Sequence, residues 1–482
     1  MLHSKDINKI SELKNGFTPK WLEPDFILSS LTCFSFSAVC KHLNPFKQRG
    51  YSFKSIFSCL ICLPFLGIQS VNLLTESAFL AHIQAKKDVF YRMKNNSGIC
   101  WRNILWMFGV KFIRLASTRG EESDCPKCLI FDDSDLPKTG RYIEKVSRIY
   151  DHVSQRFILG YKLLAMGYWD SKSFIPLDFS LHREKGKNAN KPFGLKKKEY
   201  RKQYRKKREK NTHAWDRARE VDSTKIDSAL RMFWRAISQG IKVDYVLMDS
   251  WFTCETFVKA VRRVKKQTVH LIGMYKTPKT NFTFNGERLT HSQIRNKLGN
   301  PKRCRKLKLH YKQAVVEYNG VPIKMFFSQK GSNGKWRVFI TTNTSLSFIR
   351  MIEIYQIRWT VEVFFKEAKQ LLGLGRCQSN DFDAQIADTT ITMIQYILLT
   401  LKFRFEHYET KGALFSHIRD GIIETRLNER LWGLFVELIR VMVVLFDDMD
   451  EMDLLKKILE DDRAYEMISR LLPQEPDQQN AA

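Results

Sequence analysis

The chain has 482 residues and carries 80 Lys and Arg against 51 Asp and Glu, which gives a formal net charge of +29. Its 44% of hydrophobic residues can bury a core, which excludes wholesale disorder, and 23 Gly and 13 Pro are too few for a collagen-like or low-complexity protein. Because like charges repel one another, we expect a protein with so large a net charge to bind a polyanion. Nucleic acid is the leading candidate, and an anionic membrane surface is the second.

The start of the chain lacks the apolar core of a secretory signal. The longest apolar run, near Ile56 to Ile68, contains Pro64 and is shorter than the roughly 20 residues that span a bilayer, so it predicts a buried helix. The pairs Cys59/Cys62 and Cys125/Cys128 are too far apart in sequence for a zinc ribbon, which favours ordinary thiols. We therefore expect a cytoplasmic protein with reduced cysteines.

Residues 1–118 are predicted to be helical, because apolar residues recur there at three- and four-residue spacing. A small basic helical region of this kind can bind DNA or serve as a scaffold bundle. From Cys128 the pattern changes to strands. The run Leu129-Ile130-Phe131 predicts a short buried strand that ends in Asp132-Asp133-Ser134, followed by an antiparallel meander of two further strands, Arg156–Trp169 and Ser173–His182.

The segment Arg183–Arg219 is the most basic stretch of the chain, and aromatic residues are interleaved with its charges. A solvated helix or a disordered loop is one interpretation, and phosphate contact is the one that the net charge favours. Beyond it the alternation of apolar patterns predicts further elements. These are a helix at 223–239, strands at 243–248 and 268–275 around a helix at 255–265, a β-rich insertion at 277–335, a strand at 336–341, one long helix at 347–372 and helices from 386 onward.

Two of the predicted strands end in aspartate, one in the Asp132-Asp133 pair and the other in Asp249. In α/β sheets ligands gather at the carboxyl ends of strands, although a lone Asp at such a place is more often a turn former or helix cap. A site therefore needs a third carboxylate. The long predicted helix supplies Glu362.

At 100° per residue, the long helix aligns five polar side chains on one stripe. They are Tyr355, Arg358, Glu362, Lys366 and Lys369. A stripe of this composition suits either an ion-paired solvent face or a site that binds an anion, because buried charges need partners.

The spacing Tyr355-x2-Arg358-x3-Glu362-x6-Lys369 resembles the Y-R-E-K signature of bacterial insertion-sequence DDE transposases, the family numbered four. Residues 131–140 resemble the family's block around the first acid, where D-D-T is usual and a Lys follows, and residues 246–252 resemble the block around the second. The resemblance covers roughly residues 128–387.

This resemblance implies an α/β fold with an RNase H-like mixed sheet flanked by helices and a β-rich insertion before the last catalytic helix. Its acids would be Asp133, Asp249 and Glu362, with Asp133 preferred because it adjoins Ser134 and Asp132 kept as the alternate. Two Mg²⁺ ions, which Mn²⁺ could replace, suit three carboxylates, because hard cations prefer oxygen ligands. The predicted DNA contacts are Tyr355, Arg358, Lys369, Lys366 and Lys138.

The resemblance further implies cut-and-paste transposition through a hairpin, acting on the terminal inverted repeats of an element and on target DNA, by a nucleoid-associated bacterial homodimer. We expect residues 431–446 and 452–472 to serve either protomer contacts or packing. We expect Trp251 and Trp359 to pack in the core rather than stack on bases. The predicted regions are a helical DNA-binding region at 1–118, the core at 119–276 and 336–404, the insertion at 277–335 and a helical region at 405–482.

Two alternatives remain. A non-catalytic or decayed transposase-derived DNA-binding protein would keep only the basic surface. A carboxylate-pair glycosidase would use the acids but would leave the net charge of +29 without a role.

Overall fold

A computed structural model of the protein describes residues 31, 33, 34, 36, 39, 40, 50–76, 85–117, 125–265, 267–276, 280–331, 333–405, 408–420, 460–463 and 466. Contacts within the chain define two units. One comprises Met1–Ser29, Cys62–Ile68 and Tyr408–Ala482, and the other Ser30–Ile61 and Gln69–His407. The helices predicted at 431–446 and 452–472 lie outside the described residues, except for 460–463 and 466.

Helices precede the first strand, as their apolar spacing predicts. They are α1 (Phe53–Cys62), α2 (Val71–Glu76), α3 (Lys87–Lys94) and α4 (Trp101–Ser117). Phe57 of α1 is fully buried and stacks on Trp101, the first residue of α4. Among the described residues, no helix combines the length and the apolar character needed to cross a membrane.

The strands and helices that follow alternate as the sequence predicts, with some differences in bounds. The first half contains β1 (Cys128–Pro137), β2 (Ser147–Asp151), β3 (Arg156–Trp169), β4 (Phe174–His182), α5 (Lys197–Arg201), α6 (His213–Glu220), α7 (Lys225–Ser238), β5 (Tyr245–Met248), α8 (Glu255–Arg262) and β6 (His270–Tyr275). The second half contains β7 (Asn281–Phe284), β8 (Glu287–Thr290), α9 (His291–Lys297), β9 (Lys302–Cys304), β10 (Leu309–Tyr318), β11 (Val321–Lys330), β12 (Arg337–Thr341), α10 (Phe348–Gln356), α11 (Trp359–Leu371) and α12 (Phe382–Phe405).

Twelve strands of the described chain form one mixed sheet, so the architecture is α/β. The strand order is β2-β3-β1-β5-β6-β12-β11-β10-β7-β8, with β4 paired to β3 and β9 paired to β10. The strands β1, β5 and β6 are mutually parallel, and all other pairs are antiparallel. The predicted meander is confirmed, and β2 is an additional strand that the sequence analysis did not predict.

The β-rich insertion is part of the same sheet. The strand β11 pairs with β12, and β12 pairs with β6, so hydrogen bonds run without a break from the parallel strands into the hairpins. The hairpin between β10 and β11 turns at Asn319-Gly320, where both residues have positive φ. Asn-Gly with positive φ at both positions is the preferred two-residue hairpin turn, because its twist matches that of the strands.

Buried charges join the helices to β4. Asp178 on β4 is fully buried and accepts from Arg102 of α4 and Arg235 of α7, and Arg102 also pairs with Glu220. Burial disfavours the charged form of Asp178, yet these arginines lower its pKa to about 2. A buried carboxylate is tolerated when charged donors satisfy it, so this cluster fixes α4 and α7 on the strand.

Candidate active site

Asp132 and Asp249 occupy equivalent positions on neighbouring parallel strands. The paired register of β1 and β5 ends at Phe131 opposite Met248, and each aspartate is the next residue. The prediction that β1 ends in Asp132-Asp133-Ser134 places its end too early. The strand continues to Pro137, because β3 pairs with it along its whole length, so Asp132 lies within the sheet while Asp249 follows the end of β5.

Asp132 and Asp133 face opposite sides of the sheet, since side chains alternate along a strand. Asp133 accepts from Lys225, the first residue of α7, at 3.0 Å. Asp132 contacts the segment that joins α10 and α11 instead. The structure therefore separates Asp133 from the contacts that involve Glu362.

The long helix predicted at 347–372 is two helices, α10 and α11, so that prediction is wrong in detail. At the junction the amides of Arg358 and Thr360 donate to carbonyls three residues back, as in a 3₁₀ turn. The hydroxyl of Thr360 also donates to the carbonyl of Ile357 at 2.8 Å. A side chain that bonds a backbone carbonyl in this way offers an alternative to the regular helical ladder. Tyr355 thus belongs to α10 and Glu362 to α11.

Arg358, at this junction, bridges two of the predicted acids. Its Nη1 donates to Asp132 Oδ2 at 2.8 Å, and its Nη2 donates to Glu362 Oε1 at 2.5 Å. The side chains of Arg358 and Asp132 are both 14% exposed, so the contact is mostly shielded from water. The buried Nε of Arg358 has no hydrogen-bond partner among the described residues. One donor of the guanidinium is therefore unsatisfied among the described residues.

Asp249 is linked to the other acids through its electrostatic effect on Asp132. Burial raises the pKa of Asp132 to about 7, with Arg358 opposing the shift and the charge of Asp249 adding to it. Burial likewise raises the pKa of Tyr355 to about 12, while Arg358 opposes that shift. Asp132 and Glu362 thus share one guanidinium, Tyr355 lies beside it, and Asp249 lies near enough to Asp132 to act on its ionisation.

The other predicted DNA contacts lie at different distances from this cluster. Lys369 donates to Ser134 Oγ at 2.7 Å, on the same face of β1 as Asp132, and burial lowers its pKa. Lys366 is exposed on α11. Lys138 is turned away, because its ammonium donates to the carbonyls of Gly375 at 2.6 Å and Cys377 at 3.1 Å. The structure does not bring Lys138 to the acids.

Two tryptophans beside the acids are open to solvent, contrary to the expectation that they pack in the core. Trp251 is 52% exposed and Trp359 is 61% exposed. The ammonium groups of Lys225 and Lys276 lie 4.9 Å and 5.2 Å from the Trp251 ring centroid. The sequence analysis did not single out these lysines. The only sequence signal for Lys225 is its place at the start of a helix after a Thr cap.

The basic segment 183–219 uses several of its cations internally. Arg208 pairs with Glu144 at 2.7 Å and with Asp383 at 2.8 Å, and Lys206 pairs with Asp381 at 2.9 Å. Further ion pairs join Arg183 to Asp222 and Arg217 to Glu220. The remaining Lys residues around α5 are exposed. Part of this segment therefore anchors the fold, and phosphate contact is left to its exposed part.

The donor chemistry of the acids suits a divalent cation, but their arrangement does not form a metal centre. Three carboxylates are the oxygen ligands that Mg²⁺ prefers. Among the described residues, however, no three or more His, Cys, Asp or Glu side chains are grouped to hold a metal ion. The guanidinium of Arg358 lies between Asp132 and Glu362. A cation could share these two carboxylates only after Arg358 moves.

A comparison with known protein families finds a similarity in the central part of the chain. Residues 218–398 match the family model described as the transposase DDE domain. The matched stretch contains Asp249 and Glu362 and begins after β1, so the first acid lies outside it. No curated protein matches the chain. Two of the three predicted acids, Asp249 and Glu362, lie inside the matched stretch, so this part of the chain is similar to transposase DDE domains.

Proposed function

We propose that this protein is the transposase of an insertion sequence, which cuts the ends of its element and joins them to target DNA. The observation that carries the proposal is that Arg358 holds Asp132 and Glu362 together, while the charge of Asp249 acts on Asp132. These residues come from separate parts of the chain. The family match of residues 218–398 supports the same function.

We assign the first acid to Asp132 rather than to Asp133, the residue that the sequence favoured. Asp132 shares its strand position with Asp249 and contacts Arg358, whereas Asp133 is paired with Lys225 on the other face of the sheet. Only a residue on the Glu362 side of β1 can act together with the other two acids.

Arg358 is the proposed phosphate-binding residue. Its free Nε and its planar donor fork suit a phosphate oxyanion, and a DNA phosphate could replace the carboxylates as its partner. Tyr355 and Lys369 lie on either side along α10 and α11, where they would contact neighbouring oxygens of the same strand. Lys366 offers an exposed charge between Glu362 and Lys369. Trp251 and Trp359 offer exposed rings on which a displaced base could stack.

A divalent metal, Mg²⁺ or Mn²⁺, would supply activation of the attacking water or 3′-hydroxyl and stabilisation of the leaving oxygen. The chain's own part is to hold three carboxylates at one place and to counter phosphate charge with Arg358 and Lys369. The hairpin intermediate, the action on terminal inverted repeats, the homodimer, the nucleoid association and the RNase H-like class of the sheet belong to this proposal, on the resemblance of the motifs.

The decisive experiment compares single substitutions in a cleavage assay. The substrate is duplex DNA that spans the two flanks of the gene, with Mg²⁺ or Mn²⁺ present. We expect Asp132→Asn, Asp249→Asn and Glu362→Gln each to lower the cleavage rate by roughly 10²-fold or more, as loss of one electrostatic group from an active site does. Asp133→Asn is the matched control and should retain most of the activity. Loss of activity in Asp133→Asn with retention in Asp132→Asn would reverse our assignment.

A non-catalytic DNA-binding protein is the second candidate, because Arg358 separates the carboxylates in the structure described here. That candidate predicts tight duplex binding and no cleavage by the intact protein under any divalent metal. Cleavage that disappears in Glu362→Gln, with DNA binding unchanged, would exclude it.

A further inference from the structure

Exposed cations follow one edge of the sheet, one at each strand that leads away from the acids. We define the edge strip as Lys276, Arg337, Lys330 and Lys308. Lys276 follows the last residue of β6, Arg337 begins β12, Lys330 ends β11 and Lys308 precedes β10. All four side chains are exposed.

Strand directions put the edge strip on the same edge as Asp249. The strands β5 and β6 are parallel, so Asp249 and Lys276 both follow carboxyl ends. The strand β12 is antiparallel to β6, with Val338 opposite Tyr275, and therefore starts at this edge. The register continues with Ser328 of β11 opposite Arg337, and with Lys330 opposite Leu309 of β10. Each of the strands β6, β12, β11 and β10 thus has a basic residue at the end that lies on this edge.

The charge of the edge strip is not compensated. None of its four residues forms an ion pair with another described residue, and residues 277–335 contain 13 Lys and Arg against two Glu. Glu287 is paired with Lys297 at 2.5 Å, and Glu317 lies near the far end of β10. The adjoining turn adds the exposed Arg305, while its other cation, Lys306, is paired with Glu353 at 2.7 Å. Such a row of one sign indicates a polyanionic partner.

The distance from Asp249 to the end of the row, and the lack of exposed rings beyond Trp251, favour duplex DNA. Four strand intervals separate β5 from β10, which at about 4.8 Å each gives roughly 19 Å. A duplex rises about 3.4 Å per base pair, so this length corresponds to about five or six base pairs. Among the described residues of β7 to β12 no aromatic side chain is exposed, so the strip offers no stacking platform for single strands.

We infer that the edge strip binds the sugar-phosphate backbone of double-stranded DNA over the five or six base pairs next to the cleavage point. This inference rests on the proposed function, since it takes Asp249 and its neighbours as the place of cleavage. The strip begins at Trp251, where Lys276 lies against the ring, and leads away from the acids. It assigns to the β-rich insertion a DNA contact separate from the basic segment 183–219.

The test compares two fourfold variants of the full-length protein that remove equal charge from opposite edges of the sheet. The strip variant carries Lys276→Gln, Lys308→Gln, Lys330→Gln and Arg337→Gln. The control variant carries Lys242→Gln, Arg262→Gln, Arg263→Gln and Lys265→Gln, which are exposed positions next to the amino ends of β5 and β6. Circular dichroism and thermal melting establish that both variants are folded.

Binding to a 30-base-pair duplex of arbitrary sequence is then measured as a function of salt concentration. Each phosphate contact contributes about 0.9 to the slope of log K against log salt, so the strip variant should lose about 3 to 4 in slope and the control variant less than about one. Equal slopes for the two variants would overturn the inference and leave the proposed function intact. A wild-type protein that binds no duplex at low salt would instead overturn the proposed function itself.

Discussion

Arg358 reaches Asp132 across 226 positions of the sequence and donates to it at 2.8 Å. The same guanidinium holds Glu362, so one cation neutralises two acids that come from different elements. Arg358 thus occupies the position between the two carboxylates that a shared divalent cation would need. A phosphate that attracts Arg358 would leave those carboxylates available, which couples DNA binding to cation binding.

Removal of Arg358 should strengthen cation binding to the DNA-free protein. We expect Arg358→Ala to bind Mn²⁺ roughly tenfold tighter than the wild type, because a unit positive charge a few ångströms from the carboxylates is lost. The measurement is an electron paramagnetic resonance titration with Mn²⁺ alone. The matched control is Arg350→Ala on α10, which removes an Arg near Glu353 and should leave Mn²⁺ affinity unchanged. Equal affinities for both variants and the wild type would contradict the coupling.

The ionisation of Asp132 should cost stability at neutral and alkaline pH. Burial raises its pKa from 3.8 to about 7, so between these values the folded state binds more protons than the unfolded state and stability falls as pH rises. We expect Asp132→Asn to be more stable than the wild type by about 2 to 4 kcal/mol at pH 8, with the difference vanishing near pH 4. The midpoint of thermal unfolding across this range measures it.

Asp133→Asn provides the contrast to this pH effect. Asp133 is paired with Lys225, so its neutralisation removes an ion pair and should not stabilise the protein at pH 8. A stabilising effect of Asp133→Asn equal to that of Asp132→Asn would mean that the raised pKa of Asp132 is not the cause.

Arg208 should be essential for folding although it belongs to the most basic segment. Its side chain is buried between Glu144 and Asp383. Because Arg208→Ala leaves buried carboxylates without their partner, we expect a loss of about 3 to 5 kcal/mol in the free energy of unfolding. The neighbouring exposed Lys207→Ala should cost less than about 0.5 kcal/mol. Urea denaturation of both variants checks this, and equal stability of the two would contradict it.

Gly160 on β3 should not tolerate a side chain. A Cβ there would lie 2.3 Å from the carbonyl oxygen of Leu136, a backbone atom that cannot turn away. We expect Gly160→Ala to destabilise the protein by about 1 to 3 kcal/mol, the usual cost of overpacking. Gly299→Ala, where no atom lies within 4 Å of the added Cβ, is the matched control. Thermal unfolding that is equally lowered in both variants would contradict the steric argument.

The alternation of apolar patterns was enough to predict most strands and the approximate place of the site. The strand β3 has its predicted bounds, Arg156–Trp169, because fourteen residues of apolar pattern between clear turns leave little choice. The strand β2, Ser147–Asp151, was not predicted, because three of its five side chains are polar and the strand depends on pairing with β3. Short edge strands of this kind are fixed by their neighbours rather than by their own composition.

The choice between Asp132 and Asp133 could not be made from composition alone. It depends on which residues of β1 face which side of the sheet, and this follows only from the register of β1 with β5. The junction between α10 and α11 was similarly hidden, since Thr360 is compatible with a helix until its hydroxyl bonds the carbonyl of Ile357. Local pattern predicts that a helix exists, and tertiary contacts decide where it is interrupted.

The continuous pairing of β12 with both β6 and β11 limits how the gene can be shortened. Excision of residues 277–335 would remove β11, the partner of β12 on one side. The buried run Val338 to Thr341 would then be an exposed edge strand with unpaired amides and carbonyls. An exposed edge strand pairs with strands from other molecules. A truncated protein of this design would therefore self-associate and precipitate, so the hairpins also protect β12 from pairing with other molecules.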